Sequence, residues 1–161
     1  MDWSQAVTLA RTLMDEHGLS HVPFVESNAK RQFGVTTHRV TRRFDDGDSL
    51  GGTVVNEELL SIGLSRPLTV VNDEACVRDT ILHEIAHARA GFAAAHGYAW
   101  RQVARSIGAQ PDRVCGDGVK QVAGAYQATC GCGLDHNMYR MPRNRKRCRR
   151  CKESLDFKKV G

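Results

Sequence analysis

The chain is predicted to be an α+β protein with a small, separate C-terminal unit. Three features carry that expectation. Apolar residues recur at helical spacing near the N-terminus and again between about Asn72 and Ile107. A glycine-punctuated, β-branched stretch lies between those helices, and a cysteine-bracketed basic segment follows Cys130.

The elements follow in order. Trp3, Ala6, Val7, Ala10, Leu13 and Met14 form the apolar stripe of a helix ending near Gly18, a core element with no assigned chemistry. From Phe24 to about Leu68, the runs Phe33–Val40, Gly52–Val55 and Leu59–Leu64 read as two to four antiparallel strands. Gly47, Gly51 and Gly52 punctuate them, and Pro67 stops the last. Asn72-Asp73-Glu74 offers an N-cap with acids in the first turn, opening a helix that runs to about Ala90 and stops at Gly91. A second helix runs from about Gly97 to Ile107 with Trp100, Val103, Ala104 and Ile107 inward. Residues 1–110 are thus expected to form the main domain, 111–127 a glycine-broken linker, and 128–161 a compact basic appendage.

At 161 residues the chain suits one domain with such an appendage. It contains no apolar run near the ~18 residues needed to cross a bilayer, and its start lacks a signal peptide's basic and apolar regions. A reducing cytoplasm is therefore expected, in a bacterium or a phage-infected host cell, with nucleoid association in keeping with the charge. Six cysteines in that setting favour metal over disulfides. Residues 1–110 carry 11 Lys and Arg against 13 Asp and Glu, a net −2, whereas residues 111–161 carry 12 against 5, a net +7. Basic character belongs to the tail, which bears on partners rather than on fold.

On the predicted helix, His83-Glu84-x-x-His87 places two imidazoles one turn apart on one face, where both can bind one zinc ion. Glu84, one residue round, flanks that position and can take a proton from water. The third ligand is constrained by what is missing. Ala90 and Ala93 stand where the extended H-E-x-x-H-x-x-G-x-x-H pattern needs glycine and histidine, and no glutamate occurs between Glu84 and Glu153. His96 remains, with Asp112 and Asp117 as other candidates; His96 lies four residues before Trp100, in line with the second helix's inward stripe. Asp79, one turn before His83, is a candidate orienter or simply a surface acid. Cys76 reads as a small buried hydrophobe, and Cys115 has no assigned role.

Arg66-Pro67-Leu68, Asn72-Asp73-Glu74, the Thr80–His87 run and His96-Gly97-x-x-Trp100 together resemble the SprT-like (Spartan-related) metalloprotease family, closely over residues 60–108. The resemblance implies a zincin-like core, a catalytic zinc held by His83, His87 and His96, and Glu84 as the catalytic base. It also implies that substrate lies as an added strand on the strand edge near Ile62–Ser65.

Cys130-Gly-Cys132 and Cys148-x-x-Cys151, 15 residues apart, have the spacing of a four-thiolate structural zinc site, with His136 as a substitute ligand. Some SprT-like proteins carry such a C-terminal zinc ribbon, its first pair likewise C-x-C. Between the pairs and just beyond, Arg140, Arg143, Arg145, Lys146, Arg147, Arg149, Arg150 and Lys152 place eight basic residues in thirteen, a composition suited to phosphate. The expected protein is a zinc metalloendopeptidase with one catalytic and one structural zinc, acting on DNA-associated or DNA-crosslinked proteins. Its partners would be protein substrate and DNA, without membrane or small-molecule cofactor. The alternative is a non-enzymatic nucleic-acid-binding zinc protein whose histidine site is structural.

Overall fold

The computed structural model describes residues 1–43, 53–111 and 119–160. The chain divides into two units, Met1–Gln121 and Val122–Gly161, the division falling within the glycine-broken 111–127 segment. Gly47, Gly51 and Gly52 lie outside the described residues, as do Asp112, Cys115, Gly116, Asp117 and Gly118.

The first unit begins with helix α1 (Trp3–Glu16), whose start is set by a reciprocal cap. Asp2 Oδ1 accepts from the Ser4 N–H at 2.8 Å, and Gln5 Oε1 accepts from the Asp2 N–H. Its inward stripe is Ala6, Ala10, Leu13 and Met14, all buried. Three strands follow: β1 (Phe24–Ser27), β2 (Gly34–Arg43) and β3 (Thr53–Ser65), in spatial order β1-β3-β2. Two expectations are corrected here. The sheet is mixed, because β1 pairs parallel to β3 while β2 pairs antiparallel. The runs Gly52–Val55 and Leu59–Leu64, expected as separate stretches, are also joined: Thr53–Ser65 is one continuous strand whose register shifts absorb its irregular alternation.

One of those shifts matters for the site. Thr37 pairs with Ser61 but His38 pairs with Leu59, so Leu60 is the extra residue of a bulge. A single added residue exchanges the faces of the strand beyond it. Ile62 and Leu64 on one side of the bulge therefore share a face with Leu59 and Glu57 on the other. Ile62 and Leu64 are buried in the core and Leu59 packs against it. The strand order also corrects the edge expected to receive substrate. Ile62–Ser65 lie on the central strand, hydrogen-bonded to β1 on one side and β2 on the other.

Pro67 does more than end a strand: it opens the short helix α2 (Arg66–Val71), with Ser65 Oγ accepting from the Leu68 N–H at 3.2 Å. Helix α3 (Glu74–Ala90) packs against α1, β2, β3 and, on a further side, α4 (Tyr98–Ser106). That many-sided contact explains why Val77, Ile81, Leu82, Ile85 and Ala86 are all buried although they do not lie on one stripe. Between α3 and α4 runs a 3-10 turn, Phe92–Ala94.

The second unit is built from two hairpin-like turns. Strands β4 (Tyr126–Thr129) and β5 (Asp135–Met138) pair antiparallel, with β8 (Lys158–Lys159) on the other side of β4. Strands β6 (Lys146–Arg147) and β7 (Ser154–Leu155) form the second pair.

Candidate metal centre

Local chemistry fixes the platform. Asp73 Oδ1 accepts from the Cys76 N–H at 2.9 Å to start α3, and Gly91, at φ +85°, ends it in a conformation costly for any residue with a Cβ. The chain then turns through Phe92–Ala94 and Ala95, at φ +42°, and returns His96 to the helix it has just left. His96 reaches the site from this loop, two residues before α4 begins.

The three imidazoles converge. Nε2 of His83 lies 3.2 Å from that of His87 and 3.1 Å from that of His96, and the last two are 3.0 Å apart. Three donors around a tetrahedral zinc at roughly 2.0–2.1 Å stand about 3.3 Å apart, so this donor set fits zinc. Burial is the main cause that holds His83 and His87 down to about 4, each assisted by the neighbouring imidazoles. At neutral pH the rings of His83 and His87 are therefore uncharged and keep the lone pairs a cation needs. Trp100, fully buried, forms the floor: its ring lies 4.7 Å from those of His83 and His96 and 5.2 Å from that of His87, centroid to centroid.

Glu84 is buried beside them, and β2 shapes its position. The Thr36 hydroxyl lies 2.8 Å from both Glu84 Oε2 and the Glu84 carbonyl oxygen. A Cβ on Gly34 would stand 2.6 Å from Glu84 Cγ and Oε1, so only glycine admits the carboxylate there. Burial pushes the Glu84 carboxyl up to about 7, against the opposing pull of Thr36. The group can thus exchange a proton near neutrality. Asp79 is engaged elsewhere, its Oδ1 accepting from the Gln110 N–H at 2.9 Å, although its charge reaches His83.

These residues wall a cleft of about 890 Å³. Gly34, Val35, Thr36, His38 and Arg42 of β2 line one side, and Phe92, Ala95 and His96 line another. Strand β2 ends the sheet order, so its outer edge is the one along the cleft. One of these lining side chains, His38, stands against Glu57. His38 Nδ1 stands 2.8 Å from Glu57 Oε1, and the same oxygen accepts from the Phe92 N–H at 2.6 Å. Gly34, Thr36, His38 and Glu57 were assigned no role from the sequence. They meet α3 only through sheet register and the Leu60 bulge, neither of which leaves a local signal.

In the second unit, Cys130, Cys132, Cys148 and Cys151 bring their sulfurs within 4.8 Å of one another, and none is in a disulfide. Each pair sits at a turn. Cys130 accepts the Gly133 N–H and its own N–H donates to Leu134; Cys148 does the same with Lys152 and Glu153. Gly133 and Lys152 supply the positive φ, 76° and 63°. The Cys132 sulfur lies 3.0 Å from that of Cys130, a contact that pulls Cys130 down to about 5, so thiolate forms readily there. A tetrahedral structural zinc fits this donor set. His136 stands beside Cys130, whose sulfur holds its pKa up, but the four-atom cluster is formed by sulfurs alone. Arg140, Arg143, Arg145, Lys146, Arg147, Arg149, Arg150 and Lys152 are all exposed.

A sequence profile of the SprT-like family matches residues 7–121, the whole of the first unit beyond the start of α1. No curated protein and no solved structure matches the chain.

Proposed function

Because the chain belongs to the SprT-like family, we propose that it is a zinc-dependent endopeptidase with a zincin-like catalytic unit. The observation that carries the reading is the convergence of three imidazole nitrogens beside a buried carboxylate in an open-sided cleft. His83, His87 and His96 would hold the catalytic zinc, which when bound acidifies water and polarises a peptide carbonyl. Glu84 takes the proton that water gives up and returns it to the leaving nitrogen, a task suited to a carboxyl near neutrality. Thr36 and Gly34 hold that carboxylate in one place. The outer edge of β2 receives the substrate backbone as an added strand, a mode that gives affinity through main-chain hydrogen bonds and leaves side-chain choice broad. A purely structural metal site has no use for a carboxylate kept buried at the cost of its ionisation, which disfavours the non-enzymatic alternative.

The second unit, with zinc on its four cysteines, would present its exposed basic run to DNA. Contacts there would go to phosphates, so binding would be insensitive to sequence and weakened by salt. Protein substrates on or crosslinked to DNA follow from that pairing of activities, as does action in the cytoplasm. Among the described residues no helix is long and apolar enough to cross a membrane. The test is cleavage of fluorescein-labelled casein and of a protein crosslinked to single-stranded DNA, by zinc-loaded protein with and without a zinc chelator. Chelator-sensitive cleavage of both, faster on the crosslinked substrate, is expected. Cleavage of casein alone would remove DNA from the proposal, and cleavage of neither would remove the peptidase.

A further inference from the structure

We propose that His38, held by Glu57, is a second catalytic residue of this cleft and donates a hydrogen bond to the oxyanion formed during peptide hydrolysis. The inference rests on the peptidase reading above.

The placement follows from strand geometry. Side chains at positions 34, 36 and 38 of β2 share one face, each about 7 Å beyond the last. Gly34 and Thr36 meet Glu84, so His38 comes one step further along the cleft, toward His87 and Phe92. Its ring lies edge-on to Phe92 at 6.2 Å. The base and His38 thus flank the stretch of cleft wall that faces the three imidazoles.

Its chemistry is prepared by Glu57. The carboxylate stands 2.8 Å from Nδ1, leaving Nε2 as the ring's other polar atom, on a side chain that lines the cleft yet is only 5% exposed. The contact with Glu57 is an ion-pair distance rather than a hydrogen bond, for which Nδ1 has no partner among the described residues. With the carboxylate 2.8 Å from Nδ1, donation from Nε2 requires hydrogen on both ring nitrogens, the form that pairs with that carboxylate. Glu57 is in turn fixed by the Phe92 N–H, which ties it to the loop that carries His96. The Leu60 bulge turns Glu57 to this face; without it the carboxylate would point to the opposite side of the sheet.

During attack, the water oxygen bonds to the carbonyl carbon as Glu84 takes its proton. The carbonyl π pair moves onto oxygen, and the negative charge formed there meets the N–H of His38. Collapse restores the carbonyl, breaks the carbon–nitrogen bond, and Glu84 returns the proton to the leaving nitrogen.

Removing one such donor costs about 10²–10³ in kcat. His38→Ala and the bulkier His38→Gln, zinc-loaded and assayed on labelled casein, should lose that much kcat with KM within about threefold. Both should keep zinc at both clusters. The affinity of a phosphinic pseudopeptide, which carries the tetrahedral oxyanion, should fall in step with kcat/KM; a merely structural role would not link the two. Glu57→Gln keeps an acceptor for Phe92 and should show a smaller kcat loss. Either His38 variant cleaving within threefold of wild type, or His38→Gln losing the catalytic-site zinc, overturns the inference. A wild type that cleaves nothing overturns the peptidase reading as well. An active wild type, an inactive Glu84→Gln and an undiminished His38→Gln overturn this inference alone.

Discussion

Glu84 is held between Thr36 and Gly34, and two consequences follow. Gly34→Ala would drive a methyl into the Glu84 carboxylate. A displacement of about 1 Å at a reacting group costs roughly 10²-fold in rate, so steady-state cleavage should show that loss in kcat with zinc content unchanged. Burial also makes the ionised carboxylate a destabilising group. Its pKa is about 7 in the fold against 4.5 ordinarily, so folding favours the protonated form. The penalty is absent below pH 4.5, grows across the interval and is complete above about 7. A gap of that size is on the order of 3 kcal/mol. Metal-free Glu84→Gln should therefore melt above metal-free wild type at about pH 8 and coincide with it near pH 4. Coincidence at both pH values would show that the carboxylate is not buried in solution.

At the scale of elements, α3 and α4 are joined through one large side chain. Trp100 is fully buried under three imidazoles, so Trp100→Ala should cost about 3–5 kcal/mol by thermal or denaturant unfolding and weaken zinc binding. Trp100→Phe, which keeps most of the ring, should hold the metal. Retained zinc affinity in Trp100→Ala would mean that the imidazoles need no such floor. The same scale explains what could be read in advance. The Asp73 cap, the Gly91 stop, the i,i+4 histidines and the paired cysteines lie within a few residues of one another, so their chemistry is written locally. His96 could be reached because Trp100 points the same way. Thr36 and Glu84 are 48 residues apart, and their contact depends on the register of a strand beside a helix. The parallel pairing of β1 and the central place of β3 are likewise non-local. A slip of one residue at Leu60 decides which face Glu57 occupies, and nothing in Asn56-Glu57-Glu58 announces it.

At the scale of the molecule, the two units are stabilised differently. The large apolar cluster lies wholly in Met1–Gln121, while Val122–Gly161 buries little beyond Ala128, Phe157 and two cysteines. Metal should supply most of the second unit's folding free energy. A strong chelator is therefore expected to collapse the amide spectrum of residues 122–160 while the helices of the first unit persist. Retention of both would make the cysteine site incidental. With two donor clusters, zinc should number two per chain and fall to one in His83→Ala/His87→Ala. The most direct test of the central claim combines that count with activity in Glu84→Gln. The account predicts a folded variant with both zinc ions bound and cleavage of casein abolished. Undiminished cleavage at full zinc content would contradict it.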